Sequence, residues 1–177
     1  MSRSLDELLA PDLLGGLTGR DLEDVRALRD DLQRAEGGLS FTRRVVHGRL
    51  DIVGAELRRR REGGDPHDLS GLIAQLPDLL ADPVGHEASA RSPRLLEVTA
   101  VPDDLAAELD EIVDTDALAD LRDLDDDDLM TMTTKLVDFE RWVSERRRAL
   151  QERVDEVQAE IVRRYREGEA TVDGLLE

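Results

Sequence analysis

Apolar residues recur every seven positions in two long stretches of the chain. The first stretch carries Val25, Leu32, Leu39, Val46 and Val53, and the second carries Leu129, Leu136, Val143, Leu150 and Val157. A seven-residue repeat places its members on one stripe of an α-helix, the stripe that packs against a partner helix. The pattern therefore predicts two long amphipathic helices, over residues 18–61 and 125–168.

The second apolar position of each repeat is less regular. Arg49, Arg146 and Arg153 stand where apolar residues are expected, and Leu50, Val154 and Ile161 take over one position later. The pairing of the two helices is thus predicted to be an imperfect coiled coil.

Helix-breaking residues define the remaining segments. Thr18, with Asp21 three residues later, forms a weak capping box at the start of the first long helix, and Gly63, Gly64 and Pro66 end it. Residues 1–17 are predicted to be a flexible N-terminal segment with one helical turn over residues 4–10, and residues 169–177 a tail.

Residues 62–124 form an acidic linker between the long helices, with short apolar clusters of its own. Three short helical segments are predicted in it. The first runs from Leu69 to Leu80, the second contains Leu105, Leu109 and Ile112, and the third contains Leu118 and Leu121. A loop over residues 84–97 separates the first from the second.

A polar pattern of five residues occurs once in each long helix. Copy 1 is Glu36, Ser40, Arg43, His47 and Asp51, and copy 2 is Glu140, Ser144, Arg147, Gln151 and Asp155. Helical spacing places each copy on one stripe, within an arc of about 80°. Shifting copy 1 by 104 residues also superposes the apolar positions, which indicates a duplicated helix.

Both polar stripes flank their apolar seam on the same side, because the glutamate and arginine of each copy occupy heptad position e. In an antiparallel pair, e positions face each other, so a hairpin brings both copies onto one face with pseudo-two-fold symmetry. A parallel pair places them on opposite faces, and the connection between the helices permits either. We expect the antiparallel hairpin because a shared site explains the duplication.

The residue types of the two copies suit a guanine nucleotide. Arginine forks onto guanine O6 and N7 or holds phosphate, and a carboxylate accepts the Watson–Crick N–H groups. A symmetrical, guanine-containing and phosphate-bearing ligand fits two equivalent copies, and cyclic di-GMP is such a molecule. The alternative is a solvated helix face with i,i+4 ion pairs, which one copy alone favours and two matched copies disfavour.

Gly37, Gly38 and Gly48 lie within the first long helix, and each costs it about 1 kcal/mol relative to alanine. They are either local weak points or positions where a flat ligand approaches the backbone.

Charge is distributed unevenly around the net value of −18. Residues 34–61 carry eight basic and three acidic residues, whereas residues 62–139 carry four basic and 21 acidic ones. The first segment is suited to phosphate, and the second repels nucleic acid and favours a basic protein partner. No cysteine is present, which excludes disulfides. No signal peptide or membrane-spanning stretch is evident, and we expect a cytoplasmic protein.

Catalysis is the least favoured function. No nucleophile with a base and no phosphate-binding loop is evident, and His47, His67 and His86 lack metal-ligand spacing. The acidic run Asp125–Asp128 is expected to stabilise a helix N-terminus, in preference to a metal site.

The pattern E-x3-S-x2-R-x3-Q-x3-D, present twice, resembles the motif of the RsiG family of actinobacterial anti-sigma factors. Copy 2 matches it in full, and copy 1 departs from it only at His47. The resemblance implies that an intercalated dimer of cyclic di-GMP binds the ten residues of the two copies. It also implies that the loaded protein sequesters a WhiG/FliA-type sporulation sigma factor from RNA polymerase. The alternative is a structural coiled-coil adaptor with no small-molecule ligand.

Overall fold

Helices form the regular structure of the protein. The computed structural model describes residues 3–63 and 102–168, and no β-strand occurs within those two ranges. The described helices are α1 (Leu5–Leu9), a 3₁₀ helix (Leu17–Gly19), α2 (Leu22–Arg61), α3 (Asp103–Ile112), α4 (Thr115–Ala119) and α5 (Asp126–Arg166). The predictions of an all-α protein and of two long helices are confirmed.

The short predicted segments agree with the structure where it describes them. Segments α1, α3 and α4 form where the apolar clusters predict helical turns. The predicted helix from Leu69 to Leu80, the loop over 84–97, the tail over 169–177, His67 and His86 lie outside the described residues.

The first long helix begins at Leu22 and not at Thr18 as predicted. Thr18 belongs instead to the 3₁₀ helix, which is preceded by Gly16 in the left-handed conformation at φ 67°. The capping interpretation was wrong because the distant Arg164 holds the carbonyls of this segment. Helix α5 begins at Asp126, within one residue of its predicted start, and Asp125 Oδ1 accepts a hydrogen bond from the Asp128 backbone N at 2.8 Å.

The chain divides into two compact units. Unit 1 comprises Met1–Ser40 and Val143–Glu177, and unit 2 comprises Phe41–Trp142. Each unit therefore contains part of α2 and part of α5. The heptad residues form the buried core of each: Val25, Leu32, Leu39, Val143, Leu150 and Val157 in unit 1, and Val46, Val53, Leu129 and Leu136 in unit 2.

Two arginines of α5 hold the N-terminal segment within unit 1. Arg153 Nη2 donates to the carbonyls of Leu9, at 2.8 Å, and Ala10, at 3.3 Å. The buried Arg164 donates to three further carbonyls, of Arg20 at 2.7 Å, Leu17 at 2.9 Å and Thr18 at 3.2 Å. These bonds satisfy carbonyls at the ends of the short helices, which have no intrahelical partner.

Within unit 2, two arginines of α2 likewise donate hydrogen bonds to backbone carbonyls of the short segments. Arg49 donates to the carbonyls of Leu109, at 3.0 Å, and Val113 at the end of α3. Arg60 Nη2 donates to the carbonyls of Leu121, at 2.9 Å, and Leu124, at 2.7 Å, just before α5. The arginines that interrupt the apolar pattern at positions 49 and 153 therefore have a structural role.

We call these four residues the latch arginines: Arg49, Arg60, Arg153 and Arg164. They show that the duplication is longer than the heptad and polar patterns alone indicate. Arg49 and Arg60 are 104 residues before Arg153 and Arg164. Their partners repeat at the same offset. Arg164 donates to the carbonyls of residues 17, 18 and 20, and Arg60 donates to the carbonyls 104 residues later, at 121, 122 and 124. The repeat therefore includes the short elements before each long helix as well as the helix itself.

Candidate functional site

The two polar copies are each divided between the units. In unit 1, Glu36 and Ser40 of copy 1 lie on α2, and the last four residues of copy 2 lie on α5. We call this set the unit 1 cluster: Glu36, Ser40, Ser144, Arg147, Gln151 and Asp155. In unit 2, the last three residues of copy 1 lie on α2 and Glu140 of copy 2 on α5. This set is the unit 2 cluster: Arg43, His47, Asp51 and Glu140.

The unit 1 cluster contains a loose network of polar contacts. Ser40 Oγ donates to Glu36 Oε1 at 2.8 Å. Arg147 Nη1 lies 3.5 Å from Glu36 Oε1 and 3.4 Å from Gln151 Oε1, both near the limit for a hydrogen bond. The glutamate of copy 1 thus pairs with the arginine of copy 2.

The unit 2 cluster contains the reciprocal pair at shorter distances. Arg43 Nε donates to Glu140 Oε1 at 3.0 Å, and His47 Nε2 lies 3.1 Å from the same oxygen. The glutamate of copy 2 thus pairs with the arginine of copy 1, so each unit assembles the same glutamate–arginine pair from opposite copies.

Both pairs are accessible from solvent. The side-chain exposures are 41% and 23% for Arg43 and Glu140, and 28% and 27% for Arg147 and Glu36. Ion pairs at this level of exposure contribute about 1 kcal/mol or less, so a ligand with better hydrogen-bonding partners can displace them. The last aspartates of the two copies, Asp51 and Asp155, are exposed.

One nitrogen of the unit 1 cluster has no partner. The Nε atom of Arg147 is buried without a hydrogen-bond partner in the described part of the chain. A buried, unsatisfied donor costs roughly 1–3 kcal/mol, and an arginine retains its charge and its donors at any physiological pH. The cluster therefore contains a donor for which the described part of the chain supplies no acceptor.

Two carboxylates outside both clusters have strongly lowered pKa values. Arg163 and then Arg164 hold the pKa of Glu160 at about 2, and Arg59 and Arg60 do the same for the pKa of Glu56. These two glutamates are also 104 residues apart and contact the latch arginines Arg164 and Arg60. Sequence reasoning missed them, although the 104-residue offset identifies them as a repeated pair.

Unit 2 has two further surface features. Residues 102–125, which include α3 and α4, carry ten acidic residues and one basic residue, Arg122. On α5, Met130 is 60% exposed and Val137 41% exposed, one helical heptad apart. The unit thus presents an acidic segment and, on α5, the exposed apolar side chains of Met130 and Val137.

Two other kinds of site are absent from the described residues. They contain no group of three or more His, Cys, Asp or Glu side chains positioned to hold a metal ion. Within the same ranges, no helix combines the length and apolar character needed to cross a membrane.

The profile of one protein family, described as RsiG-like, matches residues 12–80 and 115–177. These ranges contain all ten residues of the two copies and most of the chain. The chain belongs to the RsiG-like family. This is a family of regulatory anti-sigma factors and not of enzymes, and it implies a sigma factor as the partner. No curated protein matches the chain.

Proposed function

We propose that this RsiG-like protein is an anti-sigma factor that binds cyclic di-GMP and, in that form, sequesters a WhiG/FliA-type sigma factor. The observation that carries the proposal is the reciprocal pairing of the two copies. Glu36 pairs with Arg147 in unit 1, and Glu140 pairs with Arg43 in unit 2. Two clusters that share this pair suit a ligand with two equivalent halves.

We also propose that α2 and α5 pair as an antiparallel coiled-coil hairpin. In unit 1, Arg26 contacts Tyr165 and Glu36 contacts Arg147. In unit 2, Arg43 contacts Glu140 and Arg60 contacts Asp126. Within each unit the residue number falls along α5 as it rises along α2, which supports antiparallel pairing of heptad seams.

The chemistry of each cluster is suited to guanine. The glutamate accepts the N1–H and N2–H groups of the base, and the arginine donates to O6, N7 or phosphate. The buried Nε of Arg147 gains an acceptor when such a ligand binds, which removes an unsatisfied donor. Ser40 and Ser144 lie one helical turn from the glutamates, and the Ser40 hydroxyl exchanges its bond to Glu36 for a ribose or phosphate oxygen when the base takes that carboxylate.

The proposed binding step changes the charge and order of the clusters. The ligand's phosphates neutralise the arginines, and the base replaces weak, half-exposed ion pairs with hydrogen bonds to a rigid group. We propose that an intercalated dimer of cyclic di-GMP is held by the ten residues of the two copies. The loaded protein then presents the surface that binds the sigma factor.

The proposed partner surface includes the acidic part of unit 2. A sigma factor carries basic surfaces that bind DNA, and the ten acidic residues between residues 102 and 125 complement such a surface. Exposed Met130 and Val137 provide apolar contact area on the same unit. Covering the basic surface keeps the sigma factor from promoter DNA, and sequestration keeps it from RNA polymerase; both repress transcription.

Arg147→Ala tests the proposal. We expect the variant to lose at least about tenfold in affinity for cyclic di-GMP, because a charge-assisted pair to the base or phosphate is removed. Isothermal titration calorimetry measures the affinity, and a pull-down with purified sigma factor, with and without cyclic di-GMP, measures the consequence.

Arg166→Ala is the matched control, because Arg166 is an exposed arginine of α5 outside both clusters. It should bind nucleotide and partner as the wild type does. An unchanged nucleotide affinity of Arg147→Ala contradicts the ligand assignment. Capture of the sigma factor that is indifferent to the nucleotide contradicts the gating.

A further inference from the structure

The two clusters share the glutamate–arginine pair but differ in the contacts of that pair. In unit 2, Arg43 Nε and His47 Nε2 both lie on Glu140 Oε1, at 3.0 and 3.1 Å. In unit 1, the corresponding arginine reaches Glu36 at only 3.5 Å, and its Nε has no partner among the described residues. The glutamate that is expected to accept guanine is therefore held more firmly in unit 2.

One difference at these glutamates is the residue at the fourth position of each copy, glutamine in unit 1 and histidine in unit 2. In unit 1, Gln151 accepts a hydrogen bond from Arg147, the arginine of its own cluster. Glu36 accepts from Ser40 and has only a long contact with Arg147. His47 instead contacts the glutamate of its cluster. A neutral imidazole that donates from Nε2 has no second N–H, whereas a glutamine amide has two N–H donors and a carbonyl acceptor on one group.

We propose, on the basis of the function proposed above, that the two clusters bind cyclic di-GMP unequally and that His47 sets the difference. The unit 1 cluster engages a guanine first, because Arg147 holds Glu36 at only 3.5 Å and its Nε has no acceptor among the described residues. The unit 2 cluster engages only after His47 leaves Glu140, because one carboxylate oxygen cannot serve the imidazole, the guanidinium and the base equally well. His47 is thus a specificity-determining residue of the unit 2 cluster.

Exchanging the two fourth-position residues tests the inference on the full chain. His47→Gln should bind cyclic di-GMP about fivefold more tightly than the wild type, as expected from removing one exposed pair from Glu140. Gln151→His should bind more weakly, because the same bridge then forms on Glu36. The double exchange should return close to the wild-type affinity, since it only moves the histidine from one cluster to the other.

A second measurement on the unaltered protein gives the order of engagement. Side-chain Nε–H resonances of Arg147 and Arg43 are followed by NMR while cyclic di-GMP is added. We expect the Arg147 resonance to shift at a lower nucleotide concentration than the Arg43 resonance. If both resonances shift together, or if Arg43 shifts at the lower concentration, the inference is overturned without reliance on any variant.

The outcomes separate this inference from the function on which it rests. If the wild type binds no cyclic di-GMP, the proposed function fails and this inference fails with it. If the wild type binds and His47→Gln has equal or lower affinity, only the inequality of the clusters is overturned. His47 and Gln151 are both exposed, and circular dichroism verifies that the variants retain the wild-type helix content.

Discussion

At the scale of single residues, arginine makes the contacts that join separate elements within each unit. Its planar guanidinium has five donors, so one side chain reaches several carbonyls and a carboxylate at once. Arg164 donates to three carbonyls and to Glu160, and Arg60 to three carbonyls, Glu56 and Asp126. A lysine has no such fork and cannot form this set of contacts in the same geometry.

The paired glutamates predict how stability depends on pH. Arg163 and Arg164 lower the pKa of Glu160 to about 2 from its ordinary value of 4.5. A lowered pKa contributes stability above pH 4.5 that is lost as the pH falls toward 2. Glu160→Gln should therefore be less stable than the wild type at pH 7, and the difference should disappear near pH 2. Urea unfolding at pH 7, 4 and 2 measures it.

Glu152→Gln provides the comparison, because Glu152 is an exposed carboxylate on the same helix. It should unfold at the wild-type urea concentration at all three pH values. A Glu160→Gln difference that persists unchanged at pH 2 contradicts the assigned role of the ion pair.

At the scale of elements, local signals define α5 better than α2. Helix α5 begins directly after Asp125, whose side chain accepts from the Asp128 backbone N. Its aspartates also lie at the positive end of the helix dipole, as expected from the sequence. The start of α2 was misplaced because Arg164, a residue 144 positions from Arg20, holds the preceding segment as a 3₁₀ helix. Local capping chemistry contains no information about such a contact.

The contacts of two latch arginines, Arg49 and Arg153, predict which short helix each long helix stabilises. Arg49→Leu should increase amide hydrogen exchange in α3, whose last carbonyls lose their donors. Arg153→Leu should increase exchange in α1 and leave α3 unchanged. Each variant is the control of the other in hydrogen–deuterium exchange with mass spectrometry. The opposite pattern, with the same region affected by both, contradicts the assignment.

Gly48 distinguishes the two interpretations of the glycines in α2. A Cβ at this position meets no atom within 4 Å, so Gly48→Ala should stabilise the helix by about 1 kcal/mol. The position lies outside the arc of copy 1, so the affinity for cyclic di-GMP should not change. Thermal unfolding and calorimetry measure the two effects. Reduced affinity supports the hypothesis that the missing side chain admits a ligand.

At the scale of the whole molecule, a repeat of 104 residues extends from α1 through α2 and again from α3 through α5. Each unit combines the first part of one repeat with the last part of the other. The same latch contacts and the same glutamate–arginine pair consequently form in both units. Membership of the RsiG-like family places this duplicated helical protein among regulators of sigma factors.

Ligand linkage tests the proposed function on the whole molecule. At a free cyclic di-GMP concentration one hundred times the dissociation constant, the free energy of unfolding should rise by about 2.7 kcal/mol. Differential scanning fluorimetry with increasing nucleotide measures the shift in the unfolding temperature. Arg43→Ala combined with Arg147→Ala should abolish the shift. A wild type whose unfolding temperature does not change favours a structural adaptor without a ligand.

The sequence by itself determined the helical class and the two polar copies, because both depend on periodicities within one helix, and the acidic cap at Asp125 indicated where α5 begins. Heptad spacing indicates which face of a helix is buried, and the spacing of the ten polar residues indicates that each copy forms one stripe. Only the tertiary structure decided which residues of different copies meet. It divided each copy between two units and paired Glu36 with Arg147 and Glu140 with Arg43. It also left Arg147 Nε without a partner in the described residues, because that outcome depends on contacts between segments far apart in the chain.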